Sequence, residues 1–135
     1  MRRELVTIGR GLTVLRDGRG MPEWQPSVLQ ADGSRTLAWP KYPQPVMVAL
    51  MAALEVTGSD FEYLEHIEAV RRTPIASASS SDLATWFTYL FRGERFSDGH
   101  IEGFIRSGQL QAMLERLLEL SAAAGSAGSS GSSGS

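Results

Sequence analysis

Apolar residues recur at steps of three and four along most of this chain, and that spacing predicts helices. Leu5, Ile8, Leu12 and Leu15 form the first stripe, predicting a helix over residues 3–16 that Asp17-Gly18-Arg19-Gly20 ends. Gly9 and Gly11 weaken it, and the β-branched Val6, Thr7, Ile8, Thr13 and Val14 would also suit strands. Val46, Leu50, Ala53 and Leu54 predict a helix that starts on Pro45 and ends at Thr57, with Gly58 as its C-cap. Ser59 or Asp60 caps the next, running to about Arg72 with Phe61, Leu64, Ile67 and Val70 as its apolar face; Pro74 stops it. Ser81 or Asp82 then caps a helix over Leu83–Phe91. Trp86, Phe87, Leu90 and Phe91 make it apolar around most of its circumference, so it is predicted to be the central, most buried rod. Gly93 suits the left-handed position just past that helix, and Ser97 or Asp98 suits the N-cap of a short helix holding Ile101, Phe104 and Ile105, closed by Gly108. The last helix, Gln109–Leu120, sets Leu110, Met113, Leu114, Leu117 and Leu118 against Glu115, Arg116 and Glu119.

The helical spacing fails between residues 21 and 45. Pro22, Pro26, Pro40, Pro43 and Pro45 lie there with Trp24, Trp39 and Tyr42 among them. Proline removes a backbone donor and fixes φ, so a long helix is excluded. Ala31-Asp32-Gly33-Ser34 is a turn signal between Val28-Leu29 and Thr36-Leu37, which predicts a short hairpin. The aromatics either pin this loop to the core or line a groove for a ligand. The expected fold is therefore mainly α: a compact bundle of about five to six helices with a proline–aromatic loop or short β-hairpin near the N-terminus. Residues 1–120 read as a single helical domain. Residues 121–135 are only Ala, Gly and Ser and read as a flexible tail or linker.

Composition narrows the chemistry. With no cysteine among 135 residues, disulfides and thiolate metal sites are excluded. No apolar run is long enough to span a bilayer, and Gly9-Arg10-Gly11 interrupts the segment a signal peptide would need, so no membrane association and a cytoplasmic setting are expected. A net charge of −2 argues against a generally basic, nucleic-acid-binding surface. The charge is unevenly spread, however: residues 1–20 hold five Arg against Glu4 and Asp17, while Glu55–Glu68 holds five carboxylates and no Lys or Arg.

The densest chemistry is Arg92-Gly93-Glu94-Arg95-Phe96-Ser97-Asp98-Gly99-His100. One reading is structural: Arg92 complements the end of the central helix, Glu94 pairs with Arg92, Arg95 or a neighbouring helix end, Phe96 enters the core, and Asp98 caps the next helix. The other is functional, with Arg92 and Arg95 holding an anion while Glu94, Asp98 or His100 moves a proton. Glu62 and His66 share a helical face and could bind a metal with His100, but two His and no Cys make a thin ligand set, and neither metal nor cofactor is expected. Glu62, Glu65 and Glu68, with Arg71 and Arg72, read as a solvated, salt-bridged face that could meet a partner. No Walker, dinucleotide or nucleophile-elbow motif is present.

The stretch LATWFTYLFRGERFSDGHIEGFIRSGQLQAMLERL, Leu83–Leu117, resembles the C-terminal signature of a family of small bacterial and phage-associated proteins of unknown function. That pattern is an apolar helix ending T-Y-x-x-R-G-E-R-F, a D/E-G-H step, a short helix, x-G-x and L-x-R-L. Thr88, Tyr89, Arg92, Gly93, Glu94, Arg95, Phe96, Gly99, His100, Gly108, Leu114, Arg116 and Leu117 stand at its places, and Trp39-Pro40-x-Tyr42-Pro43 and Asp60-Phe61-x-Tyr63 resemble its upstream segments. Members often have Cys where Ser97 stands here, so a thiol role does not carry over. The resemblance implies a helical fold and a bacterial or mobile-element source, and no activity.

The function expected from all this is non-catalytic: an interaction or regulatory protein, phage or mobile-element encoded, inhibiting a host protein complex. It would dock through Glu62, Glu65 and Glu68 or through Trp24, Trp39 and Tyr42. The alternatives are a small enzyme or an anion- or phosphate-binding domain using Arg92, Glu94, Arg95 and His100, and nucleic-acid binding through the basic N-terminal segment. The sequence fixes no oligomeric state.

Overall fold

A computed structural model describes residues 2–134, with side chains described for all but Phe96 and 125–134. It contains helices α1 (Arg2–Arg16), α2 (Gln44–Thr57), α3 (Tyr63–Arg71), α4 (Ser80–Phe96), α5 (His100–Arg106) and α6 (Gln109–Gly134), a 3-10 turn at Ile75–Ser77, and strands β1 (Glu23–Gln25) and β2 (Trp39–Lys41). The predicted mainly helical bundle with a hairpin near its N-terminus is the fold observed. The buried face of α6 ends at Leu117, and the flexible tail expected over 121–135 falls mostly outside the described side chains.

Helix α4 is the spine, in contact with α2, α3, α5 and α6. Leu83, Phe87 and Leu90 are wholly buried on it, with Ala84, Thr85, Trp86 and Thr88 nearly so. Removing a side chain such as Phe87 from water is worth roughly 1.5–3 kcal/mol, which is why the most apolar helix takes the centre. Its start differs from expectation: Ser79, not Ser81 or Asp82, is the N-cap. The Ser79 hydroxyl accepts from the Asp82 N–H while the Asp82 carboxylate accepts from the Ser79 N–H, a capping box one turn earlier than the apolar run suggests.

Helix α1 crosses α2 face to face, and Gly11 explains how closely. A Cβ at Gly11 would overlap the Ala49 methyl and come within 2.7 Å of the Pro45 carbonyl oxygen. The glycine that weakens the helix prediction is the one that lets the helices touch. Gly11→Ala should therefore destabilise by about 2 kcal/mol, although alanine is the better helix former. Chemical denaturation measures this; an unchanged midpoint would place the crossing elsewhere. Arg16 also ties α1 to α6 through Glu115 at 2.8 Å.

Helix α3 departs from its predicted face. Ile67 and Val70 are buried, but Phe61 is 83% and Leu64 71% exposed. Asp60 is the cause: its backbone N–H donates to Thr88 Oγ1 at 2.9 Å and its carboxylate accepts from Thr85 Oγ1 at 2.6 Å, which fixes the angle at which the chain enters α3. That roll directs Phe61 and Leu64 to water.

The hairpin is longer than its two strands. Glu23↔Lys41, Trp24↔Pro40 and Gln25↔Trp39 pair antiparallel, and the same register carries through the Leu29↔Arg35 bridge. At the tip Gly33, with φ 90°, closes the turn while Asp32 accepts from the Ser34 N–H. The Asp32-Gly33 turn predicted from sequence is present, but every residue from 26 to 39 is exposed, so the tip stands clear of the bundle.

Candidate functional site

The α4–α5 corner is built around Glu94. Its Oε1 accepts from the Tyr42 hydroxyl at 2.9 Å and from the Ile101 N–H at 2.8 Å, and its Oε2 accepts from the Gly99 N–H at 2.9 Å. Tyr42 in turn accepts from the Glu102 N–H at 3.0 Å. A carboxylate from the preceding helix, relayed by a phenol, thus satisfies the first donors of α5. Burial, and then the bond to Glu94, push the Tyr42 hydroxyl's pKa well up, keeping it a donor. The Glu102 carboxylate holds the Trp24 indole N–H at 2.6 Å and also bonds Arg106. The hairpin base is thereby fastened to α5 by two aromatic side chains.

Several expectations about this corner are corrected. Gly93 is not a left-handed residue after α4, because the helix continues through it to Phe96. Its small size is needed for packing: the His100 ring packs against it, and an added Cβ would come within 2.7 Å of the ring's Cγ. Neither Ser97 nor Asp98 caps α5; Gly99, with φ 92°, occupies the N-cap position and Glu94 supplies the acceptor. Of the pairings foreseen for Glu94, the neighbouring helix end is the one formed. The expected insertion of Phe96 lies outside the described side chains.

His100 sits in an aromatic box, 4.8 Å from Tyr89 and 5.3 Å from Phe104 between ring centres. Its Nε2 is buried without a hydrogen-bond partner. Burial pushes its pKa below 6.5, only partly opposed by the charge of Glu94, so the ring is neutral at pH 7. Arg71 closes the box from outside, donating to the Tyr89 hydroxyl at 2.8 Å and lying 5.2 Å from its ring centre.

Arg92 and Arg95 behave differently from Glu94. Among the described residues neither has an ion-pair or hydrogen-bond partner. Both line a groove of about 350 Å³ with Met47, Phe91, Glu94 and Ile101. The sequence thus located the cluster, but the structure divides it: the acid and the histidine face inward, the arginines outward. A second groove of about 610 Å³ between α1 and α2, with Arg10, Val14, Pro45 and Val48 on its walls, holds of the candidates only Arg10 from the basic N-terminal segment. The basic N-terminal segment is split, since Arg16 pairs with Glu115 and Arg19 with Asp17, leaving Arg2, Arg3 and Arg10 exposed.

A second polar hub, unforeseen as one, surrounds Asp60. Besides Thr85, its carboxylate accepts from the Glu62 N–H and meets His66 Nδ1 at 2.7 Å. His66 and His100 are therefore engaged on different partners, and among the described residues no group of three His, Cys, Asp or Glu could hold a metal. The bond to Asp60 raises the His66 pKa above its ordinary 6.5. Burial would raise that of Asp60, but the Thr85 and His66 bonds outweigh it and hold the pKa below 3.8. His66 gains a proton-dependent partner on folding, so its contribution is complete below pH 6.5 and is lost as pH rises through its higher folded value. The contribution of Asp60 is complete above pH 3.8 and is lost as pH falls through its lower folded value. An NMR titration should place His66 above 6.5, and Asp60→Asn should bring it down; a wild-type value at or below 6.5 would contradict the pairing.

The remaining candidates lie on two surfaces. Alternation along the hairpin sets Trp24 and Pro40 on the face towards α5, and Leu29, Arg35, Leu37, Trp39 and Lys41 on the other. Leu37 is 83%, Leu29 61% and Trp39 48% exposed. Trp39 is thus available to a partner, whereas Tyr42, expected on that surface, is the half-buried anchor. Glu62, Glu65 and Glu68 are exposed beside Phe61 and Leu64, with Glu68 bonded to Arg71. Leu29, Leu37, Phe61 and Leu64 were missed as surface candidates, because an apolar residue in a periodic pattern reads as core.

The fold and its corner define a small helical-bundle domain carrying an aromatic hairpin, with no helix among the described residues long and apolar enough to cross a membrane. The chain belongs to a family of unknown function (DUF6508), whose model matches residues 3–123. No curated protein and no solved structure matches it.

Proposed function

We propose that this protein is a non-catalytic, regulatory interaction module whose recognition element is the outer face of the hairpin. The observation that carries this is the row Leu29–Leu37–Trp39, held in water on a hairpin fastened at its base by Trp24 and Tyr42. Exposed apolar rows of this kind mark binding surfaces. Pro26 and Pro40 each lack a backbone donor, so the partner is recognised by side chains and not by strand addition. Arg35 and Lys41 share the face against the single carboxylate Glu23, which favours an acidic–apolar partner. The corner supports the non-catalytic reading: Glu94 is fully engaged and His100 Nε2 has no access to a substrate. The test uses tagged chain as bait in bacterial lysate. Wild type should capture a stoichiometric protein that Leu29→Ser/Leu37→Ser/Trp39→Ser does not, the variant keeping its fold because these side chains support no core. Equal capture by both, or no capture by a wild type that is also monomeric, would count against the reading.

A second reading rests on the two unpaired guanidinium groups beside one groove. We infer that Arg92 and Arg95 can hold a phosphate or carboxylate between them, without help from α5, whose first N–H groups already serve Glu94 and Tyr42. Inorganic phosphate should then raise the melting temperature of wild type but not of Arg92→Ala/Arg95→Ala. No shift in wild type removes this reading.

A further inference from the structure

We propose that the partner of the hairpin is the α3 face of a second copy of this chain, in a two-fold dimer. The inference rests on the docking reading above and deepens it by naming the occupant. The hairpin offers an apolar row bordered by Arg35 and Lys41, with Glu23 opposite Lys41. Its complement is an apolar pair bordered by carboxylates, and the chain carries one. Phe61 and Leu64 stand 83% and 71% exposed, one helical step apart, beside Glu62, Glu65 and Glu68. Glu68 is bonded to Arg71, Arg72 ends the segment, and His66 feels the charge of both Glu62 and Glu65 from its place on Asp60, but neither of those carboxylates has a hydrogen-bonded or ion-paired partner among the described residues. Positive–apolar and negative–apolar surfaces therefore coexist on one molecule.

They cannot satisfy each other within it. Asp60 anchors α3 at Thr85 and Thr88 of α4, while Tyr42 anchors the hairpin at Glu94, and both surfaces are exposed with those anchors made. A second copy meets both needs at once. In a two-fold arrangement each hairpin covers the partner's α3 and each α3 receives the partner's hairpin, so no such surface is left over. A head-to-tail contact would leave a free hairpin at one end and a free α3 face at the other, and propagate. The asymmetry of charge gives the pairing its register, since hairpin against hairpin would set Arg35 and Lys41 against their own kind and α3 against α3 would do the same for Glu62 and Glu65.

Sedimentation velocity on the purified full chain across the micromolar range tests this. Wild type should pass from monomer to dimer. Arg35→Glu/Lys41→Glu and Glu62→Lys/Glu65→Lys should each dissociate at least about tenfold more readily. An equal mixture of the two should regain the dimer, because both contacts of the mixed pair again join opposite charges. Circular dichroism checks that each is folded; should the α3 reversal fail to fold, Leu64→Ser and Leu37→Ser must weaken the same dimer without changing charge. A wild-type monomer throughout, a dimer indifferent to both reversals, or a mixture that stays apart would overturn the proposal. A monomer that still captures another protein through its hairpin leaves the docking reading standing and removes only the second copy. A dimer indifferent to hairpin changes, with capture equally indifferent, removes both.

Discussion

Glu94→Ala is expected to lower the stability of this protein by about 3 kcal/mol, the scale for stranding partly buried donors that had a charged acceptor. The Gly99 and Ile101 N–H groups and the Tyr42 hydroxyl lose their acceptor together. The seven residues of α5 are too few to hold a helix by propensity, so its start depends on this side chain. Glu94→Gln should recover only part of the loss, since the amide keeps one oxygen where the carboxylate serves three donors from two. Denaturant unfolding gives the magnitude. Amide exchange gives the location: protection should fall first at Gly99, Ile101 and Glu102, the groups served by Glu94 and Tyr42. Unchanged protection there would mean that α5 is held by packing alone.

Gly93→Ala is the second large effect, and its sign separates two kinds of reasoning. Helix propensity alone predicts a gain of about 1 kcal/mol for alanine inside α4. Packing predicts a net loss of about 2–3 kcal/mol, because the new methyl would enter the space of the His100 ring. That ring cannot retreat cheaply, being enclosed by Tyr89 and Phe104. The decisive comparison is a double-mutant cycle with His100→Ala, which opens room for the methyl. In that background Gly93→Ala should cost little or even stabilise, leaving a coupling energy of about 2 kcal/mol. Independent, additive effects would mean that the two residues do not share the corner described here.

Both effects belong to residues that composition and spacing had singled out, Glu94 with the helix-end pairing among its foreseen roles and Gly93 with the wrong one. Gly93 reads as a helix end because glycine after an apolar helix usually is one. It is an internal close approach, a demand that appears only once His100 has folded back upon it. Asp98 reads as a cap because it stands just before a helix, yet the acceptor comes from Glu94. Phe61 and Leu64 keep perfect helical spacing with Ile67 and Val70, but the roll of α3 is set by the bond from Asp60 to Thr85, twenty-five positions away in sequence.

What the sequence determined by itself is local and periodic: the helices, the central place of α4, the hairpin turn at Asp32-Gly33 and the density of chemistry after Phe91. Each follows from forces acting over three or four neighbouring residues, namely apolar spacing, proline's missing donor and glycine's freedom. The tertiary structure alone decided where those faces point and which polar groups meet. Tyr42 and Glu94 bond across fifty-two positions, and no local pattern encodes that distance. Burial drives most buried donors and acceptors to a partner wherever the packed chain brings one near, His100 Nε2 being an exception. The same packing turned one acid into a helix cap, buried the Nε2 of one histidine, and left Arg92 beside an open groove and Arg95 and the outer face of the hairpin exposed.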